Sequence, residues 1–349
     1  MPQQAVPPRL TAAVPSLACP GALVQLEGDA LVAADGGLPE VWLGGARARI
    51  TAASVTRLSI LVGDDVPGGE QDVRVSGVAH GVPLRVARAI ATDVHQVDGP
   101  AVDRAGRVYA TFSGSRGQQV PVSIFRISAG GLREPFSSAV VNPTSTTIGP
   151  DQALYVTSRF EGAVYRLADD GSAALVASNL GVACGLAFAS DGVLYVGDRS
   201  GTIFRVSVET GSVSTLVELP ASVAAFHLAF GPDGWLYVTG PTLSPVDPVR
   251  RVDPSSGRVE IVCEGLGRPQ GIAFDAAGVL HVADALAGAS GIYAVDGGVA
   301  RLAIAGRRLV GLAFDADGAA VVASNDTLYR FDPLPRAGER AGTPHDQER

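Results

Sequence analysis

Along most of the chain, apolar and polar positions alternate with a period of two, in short runs closed by glycine, proline and aspartate. That pattern predicts strands and tight turns rather than helices. From residue 99 onward the runs repeat. Six segments share a small residue, an apolar-Ala-apolar run, a short turn and an apolar-Tyr-Val run, with lapses: GPAVDRAGRVYA from Gly99, STTIGPDQALYV from Ser145, GLAFASDGVLYV from Gly185, HLAFGPDGWLYV from His227, GIAFDAAGVLHV from Gly271 and GLAFDADGAAVV from Gly311. Their starts are 46, 40, 42, 44 and 40 residues apart. Each is followed by a third strand (SIFRIS, AVYRLA, TIFRVS, PVRRVD, GIYAVD, TLYRFD), and most by a fourth, such as AALVAS or VEIVCE. Four short strands every forty-odd residues is the period of a β-propeller blade. The Asp-Gly pairs at 191–192, 233–234 and 317–318 read as hairpin turns, not as metal ligands.

A ring must close. The sixth unit ends at its third strand, Thr327 to Phe331, and the unassigned alternating run Leu84 to Ala91 is expected to complete that blade and remove the open edge. Residues 1–80 have a different rhythm: short strands at 22–26, 41–48, 57–62 and 71–75, separated by turns, predict a small β-sandwich. His80-Gly81-Val82-Pro83 reads as a hinge. The expected organisation is therefore a sandwich over 1–80, a six-bladed propeller over 84–335 and a disordered polar tail over 336–349. The fold class is all-β.

Composition narrows the chemistry. The 349 residues include 43 glycines and 23 prolines, 46% are hydrophobic and 18% charged, enough for a large core and not the composition of a disordered chain. Lysine is absent, so all 27 basic side chains are arginine, which excludes a Schiff-base or phosphate-loop lysine. A net charge of −8 argues against nucleic acid as partner. No apolar run reaches membrane-spanning length. Cys19, Cys184 and Cys263 form neither a zinc spacing nor a disulfide framework, which with the proline-broken N-terminus gives a cytoplasmic expectation. Ser16-Leu17-Ala18-Cys19 has the letters of a lipoprotein cleavage box without the hydrophobic run that should precede it.

The run Val41 to Ala48, apolar-x-apolar-Gly-Gly-x-x-Ala, resembles the immunoglobulin-like IPT/TIG domain. Residues of roughly 85–335 resemble the six-bladed propellers of the regucalcin, gluconolactonase and luciferin-regenerating-enzyme family, and more loosely NHL-repeat propellers. The resemblance implies a pocket at the channel mouth in which a Glu, two Asn and an Asp hold a calcium-like divalent cation for lactone hydrolysis. Carried over by position, the Glu becomes Asp98; the first Asn becomes Thr144, with Asn142 two residues away; the second becomes Cys184; and the Asp becomes Gln270. One carboxylate, amides and a thiol make a poor site for a hard cation.

The residues before each repeat start, together with the ends of the second strands, converge on that mouth. They give as ligand-binding candidates Asn142, Thr144, Arg159, Cys184, Asp198, Arg199, Gln270 and Asp284. Asp98 and His227 are the catalytic candidates, and Asp98 with Asn142 is the remnant of a metal site. Each also has a plainer use: Asp98 as a turn cap, Cys184 as buried filler, Asp198 and Asp284 as loop carboxylates, and Arg159 and Arg199 as solvated rim rather than a clamp for an anion. His227 stands where other units carry glycine or serine, so the blade pattern does not account for it. The loop Thr111 to Gln119 reads as a lid with Gly114 and Gly117 as hinges. Three functions compete: a small-molecule-binding or scaffold propeller without the usual metal set, a lactone or ester hydrolase with a divergent channel site, and a protein-docking propeller.

Overall fold

The structure is a computed structural model that describes residues 7–33, 35–286 and 288–333. The expected tail over 336–349 lies outside them. Among the described residues the chain is all-β, with no helix.

Five separate four-stranded antiparallel sheets form a propeller-like ring. Their first strands are Ala101–Val102, Pro143–Ile148, Ala183–Phe188, His227–Phe230 and Leu309–Phe314. Six independent sheets were expected. The strands of the fifth repeat unit, from Pro269–Phe274 to Val299–Ala305, instead form one end of a twelve-stranded sheet that runs on into the N-terminal segment. Pro269–Phe274 packs against both His227–Phe230 and Leu309–Phe314, and Leu309–Phe314 touches Ala101–Val102.

The repeated residues show why the units stack. The tyrosine of one second strand meets the phenylalanine of the next unit's first strand edge-on: Tyr155 with Phe188, Tyr195 with Phe230, and Tyr237 with Phe274, at centroid distances of 4.8–5.3 Å. His281, which replaces a tyrosine, keeps the place by packing on Phe314 and bonding Asp275 at 3.0 Å. The turn aspartates cap their hairpins and take the tyrosine hydroxyls, as Asp151 does from Tyr155 and Asp233 from Tyr237. At the hub the small residues are required because first strands press backbone to backbone. A Cβ on Gly185 would sit 2.5 Å from Phe226 O, and one on Gly99 would sit 2.6 Å from Leu312 O.

Before the ring come β1 (Arg9–Val14), β2 (Leu17–Ala18), β3 (Leu23–Asp29), β4 (Val41–Leu43), β5 (Ala46–Ala53), β6 (Arg57–Leu61), β7 (Gly69–Val75), β8 (Val82–Val86) and β9 (Arg88–Ala91). β1 to β8 enclose their own core, with Leu26, Leu43, Leu58, Ile60 and Leu84 fully buried. Gly44 and Gly45, at φ of 58° and 85°, make the two-residue hairpin between β4 and β5.

The junction differs from the sequence reading. Leu84 to Ala91 is not one strand: it breaks at Ala87. β8 pairs with β7 and β2, while β9 pairs with Leu328–Phe331 as the fourth strand of the last sheet. His80 to Pro83 is no hinge either, because Val82 and Pro83 are paired with Val73 and Asp72. The two-residue β2 lies parallel to both neighbours, Ala18 opposite Val86 on one side and Ala305 on the other. Cys19 N donates to Ala305 O at 2.8 Å, and Cys19 and Ala87 are buried in a cluster with Ile292, Ile304 and Phe331.

Candidate functional site

Asp98 and His227, from the first and fourth repeat units, meet across the hub. His227 Nδ1 lies 2.6 Å from Asp98 Oδ1, which also accepts from Gly99 N at 2.6 Å. Ser145 Oγ donates to Asp98 Oδ2. One carboxylate thus holds a serine and a histidine from two other units, both in slots where the remaining units have glycine. The Nδ1 of His227 is thus engaged by the carboxylate, while its Nε2 is buried with no partner. The histidine side chain is 1% exposed and Asp98 14%.

A cleft of ≈ 260 Å³ is lined by Val97, Arg116, Asn142, Thr144, Arg159, Phe160, Val182, Cys184, Arg199, Ala224 and Ala225. Of the sequence candidates, Asn142, Thr144, Arg159, Cys184 and Arg199 line it. Asp98 and His227 are not lining residues, although Val97, next to Asp98 in sequence, and Ala225, two before His227, are.

Asn142 lines the cleft with its amide already spent. Gly117 N donates to Oδ1 at 2.7 Å, and Nδ2 donates to Gly114 O and Ser115 O, each at 3.1 Å. Its φ of 46° is a left-handed value that asparagine tolerates. The loop read as a lid is therefore fastened at both proposed hinges, with Gly117 pressed against the Phe160 ring.

Cys184 is buried, its Sγ 3.2 Å from Val182 O, and burial raises its thiol pKa to about 12. It is a protonated filler, neither nucleophile nor thiolate ligand. A thiol-reactive disulfide reagent at pH 8 should leave Cys184 unlabelled in the folded protein and label it on unfolding. Rapid labelling in the native state would overturn this assignment.

The other candidates are not among the lining residues. Asp198 Oδ1 accepts from Val182 N at 2.8 Å and its other oxygen from Ser200, so it pins a loop. Asp284 accepts from Gly267 N, Arg268 N and Leu286 N at 2.8–3.0 Å and does the same. Gln270 offers its carbonyl to Thr239 and is not among the cleft residues. Among the described residues no group of three or more His, Cys, Asp or Glu is placed to hold a metal ion. The sequence reading missed Arg116, Phe160 and Ser145. Ser145 carried a signal, as the one hydroxyl in the run of glycine slots.

Fold and hub together define the class: a β-propeller with a cleft at the mouth of its ring. No family model matches the chain, and no curated protein matches it. Solved structures do. A gluconolactonase from Xanthomonas campestris is 17% identical, with a TM-score of 0.59, over 71% of this chain and 90% of that one. A structural-genomics protein of unknown function from Bacteroides thetaiotaomicron is 15% identical, with a TM-score of 0.58, over 94% and 98%. An auxiliary nutrient binding protein from the same organism is 13% identical, with a TM-score of 0.53, over 94% and 98%. At these identities the likeness is one of fold. Gluconolactonase-like propellers are among its structural neighbours, and the likeness to the two Bacteroides proteins takes in the N-terminal strands.

Proposed function

We propose that this chain is a six-bladed propeller, with the strands of the fifth repeat unit as the remaining blade and an IPT/TIG-like unit in front. In this reading it binds a small molecule in the mouth cleft without metal-dependent lactonase chemistry. The observation that carries it is the engagement of the candidate metal donors. Asp98 serves His227, Ser145 and Gly99; Asn142 serves the loop; Cys184 keeps its proton; and Gln270 stands outside the cleft. A calcium-like cation wants several free oxygens, some of them charged, and the residues present do not fit one.

The test combines calcium and magnesium titration, followed by thermal unfolding, with glucono-δ-lactone hydrolysis measured with and without chelator. Neither cation should move the melting temperature, and any turnover should be indifferent to chelator. Chelator-sensitive hydrolysis abolished in Asp98→Asn would overturn the proposal.

One observation favours a second reading, a metal-free lactone or ester hydrolase. The Asp98–His227 pair leaves Nε2 bare, the arrangement of a general base. It requires a path to open from solvent to the buried Nε2. Turnover that survives chelator and vanishes in a folded His227→Ala variant would establish it.

A further inference from the structure

The cleft is charged on one side only. Arg116, Arg159 and Arg199 reach its wall, and no carboxylate is among its lining residues. Of the arginines on the repeated third strands, four are matched, Arg126 with Glu134, Arg166 with Asp151, Arg251 with Asp233 and Glu260, and Arg330 with Asp315, while Arg205 donates to the Pro254 carbonyl. None of the three cleft arginines makes an ion pair among the described residues. Unpaired arginines are common in this chain; what sets these three apart is that they share one small cleft with no carboxylate in its lining.

One of them is set in place and another is half-buried. Arg199 is oriented by Ser222 O at 3.3 Å from Nε and by Val223 O at 3.1 Å from a terminal nitrogen, which leaves three of its five N–H donors free. Arg159 is half-buried. Burial, with the like charge of Arg199 adding to it, pulls its pKa below the usual arginine range. A guanidinium held near a second one without a counter-charge carries an electrostatic cost that an oxyanion would relieve. Val97, Phe160 and Val182 supply an apolar wall that bare phosphate would not use.

The geometry points to an anion site whose ligand is a small organic acid bearing at least two oxyanion groups, gripped by Arg159 and Arg199 and covered by Arg116. This rests on the small-molecule reading above and gives it a ligand class. Dicarboxylates and phosphate share the oxyanion chemistry, and the apolar wall favours the carboxylates.

The experiment uses the full chain, with thermal unfolding and calorimetric titration against succinate, citrate, inorganic phosphate and neutral glucono-δ-lactone, each balanced with sodium chloride to one ionic strength. Citrate or succinate should raise the melting temperature saturably, more than phosphate does, and bind more weakly as salt rises. Arg159→Gln and Arg199→Gln should each weaken binding by about tenfold or more, the usual worth of a charge-assisted contact. Free of ligand, Arg159→Gln should melt no lower than the parent, because a like-charge repulsion has gone. Arg116→Gln, at an exposed loop position, gives the same reading should either of those variants fail to fold. Anion binding that is equal in all three variants, or no saturable anion response, overturns the inference. Lactone binding that is lost in a cleft variant while anions do nothing overturns the ligand class and leaves the small-molecule reading standing. No response to any of the four probes removes both.

Discussion

Replacing Ala18 with glutamate should cost about 4 kcal/mol or more and should unfold the N-terminal segment and the ring together. Ala18 is fully buried between two parallel neighbours, Val86 and Ala305, so the carboxylate has neither water nor a counter-charge. Burying an unpaired charge belongs to the short list of changes that exceed the ordinary mutational range. The loss should be shared because β2 is the strand through which the twelve-stranded sheet passes from one half of the chain to the other. The protein carries its own reporters, with Trp42 in β4 and Trp235 in the fourth repeat unit. In single-tryptophan variants the two denaturant transitions should coincide in the parent and fall together in Ala18→Glu. A Trp42 transition that moves while Trp235 stays would show that the halves are independent and that the shared sheet is a minor contact.

That junction is also where sequence reading gave out. The repeat was legible because each unit brings its own explanation: an Asp-Gly turn, a tyrosine for the next unit's phenylalanine, and a small residue at the crowded hub. These local features recur at one interval, so spacing alone recovers them. β2 has two residues, follows Pro15 and has no period to detect. Its pairing is set by Val86 and Ala305, both remote in sequence and the second almost three hundred residues away. The break at Ala87 left only a faint trace, since Arg85 and Arg88 fall on opposite faces of a period of two, and the division itself is made by the competing claims of β7 and of Leu328–Phe331. At the site, position was legible and availability was not. Asn142, Asp198 and Asp284 stand near the predicted face, but loop amides take up their side chains, and no residue-by-residue pattern records that competition. Arg116 comes from a loop without a repeat register, so only the folded backbone brings it to Arg159 and Arg199.

The Asp98–His227 pair tests whether this hub is built for stability or for chemistry. Asp98→Ala should cost about 2–5 kcal/mol, because it leaves the His227 Nδ1 and the Ser145 hydroxyl buried without partners. Asp98→Asn keeps an acceptor oxygen toward the imidazole and should lose less. The bond spans the ring from the first unit to the fourth, so the two residues should be coupled by more than about 1 kcal/mol in a double-mutant cycle with His227→Ala. Sites kept for catalysis commonly hold their groups at the expense of stability, and removing such groups tends to stabilise the fold. The sign therefore decides the matter. A more stable Asp98→Ala protein would mean that the carboxylate is held there for a reaction, and the hydrolase reading would then displace the binding one. A destabilised, strongly coupled pair would mean that the polar cross-link fills the two hub slots that glycine leaves vacant in the other units, with ligand chemistry confined to the arginine cleft.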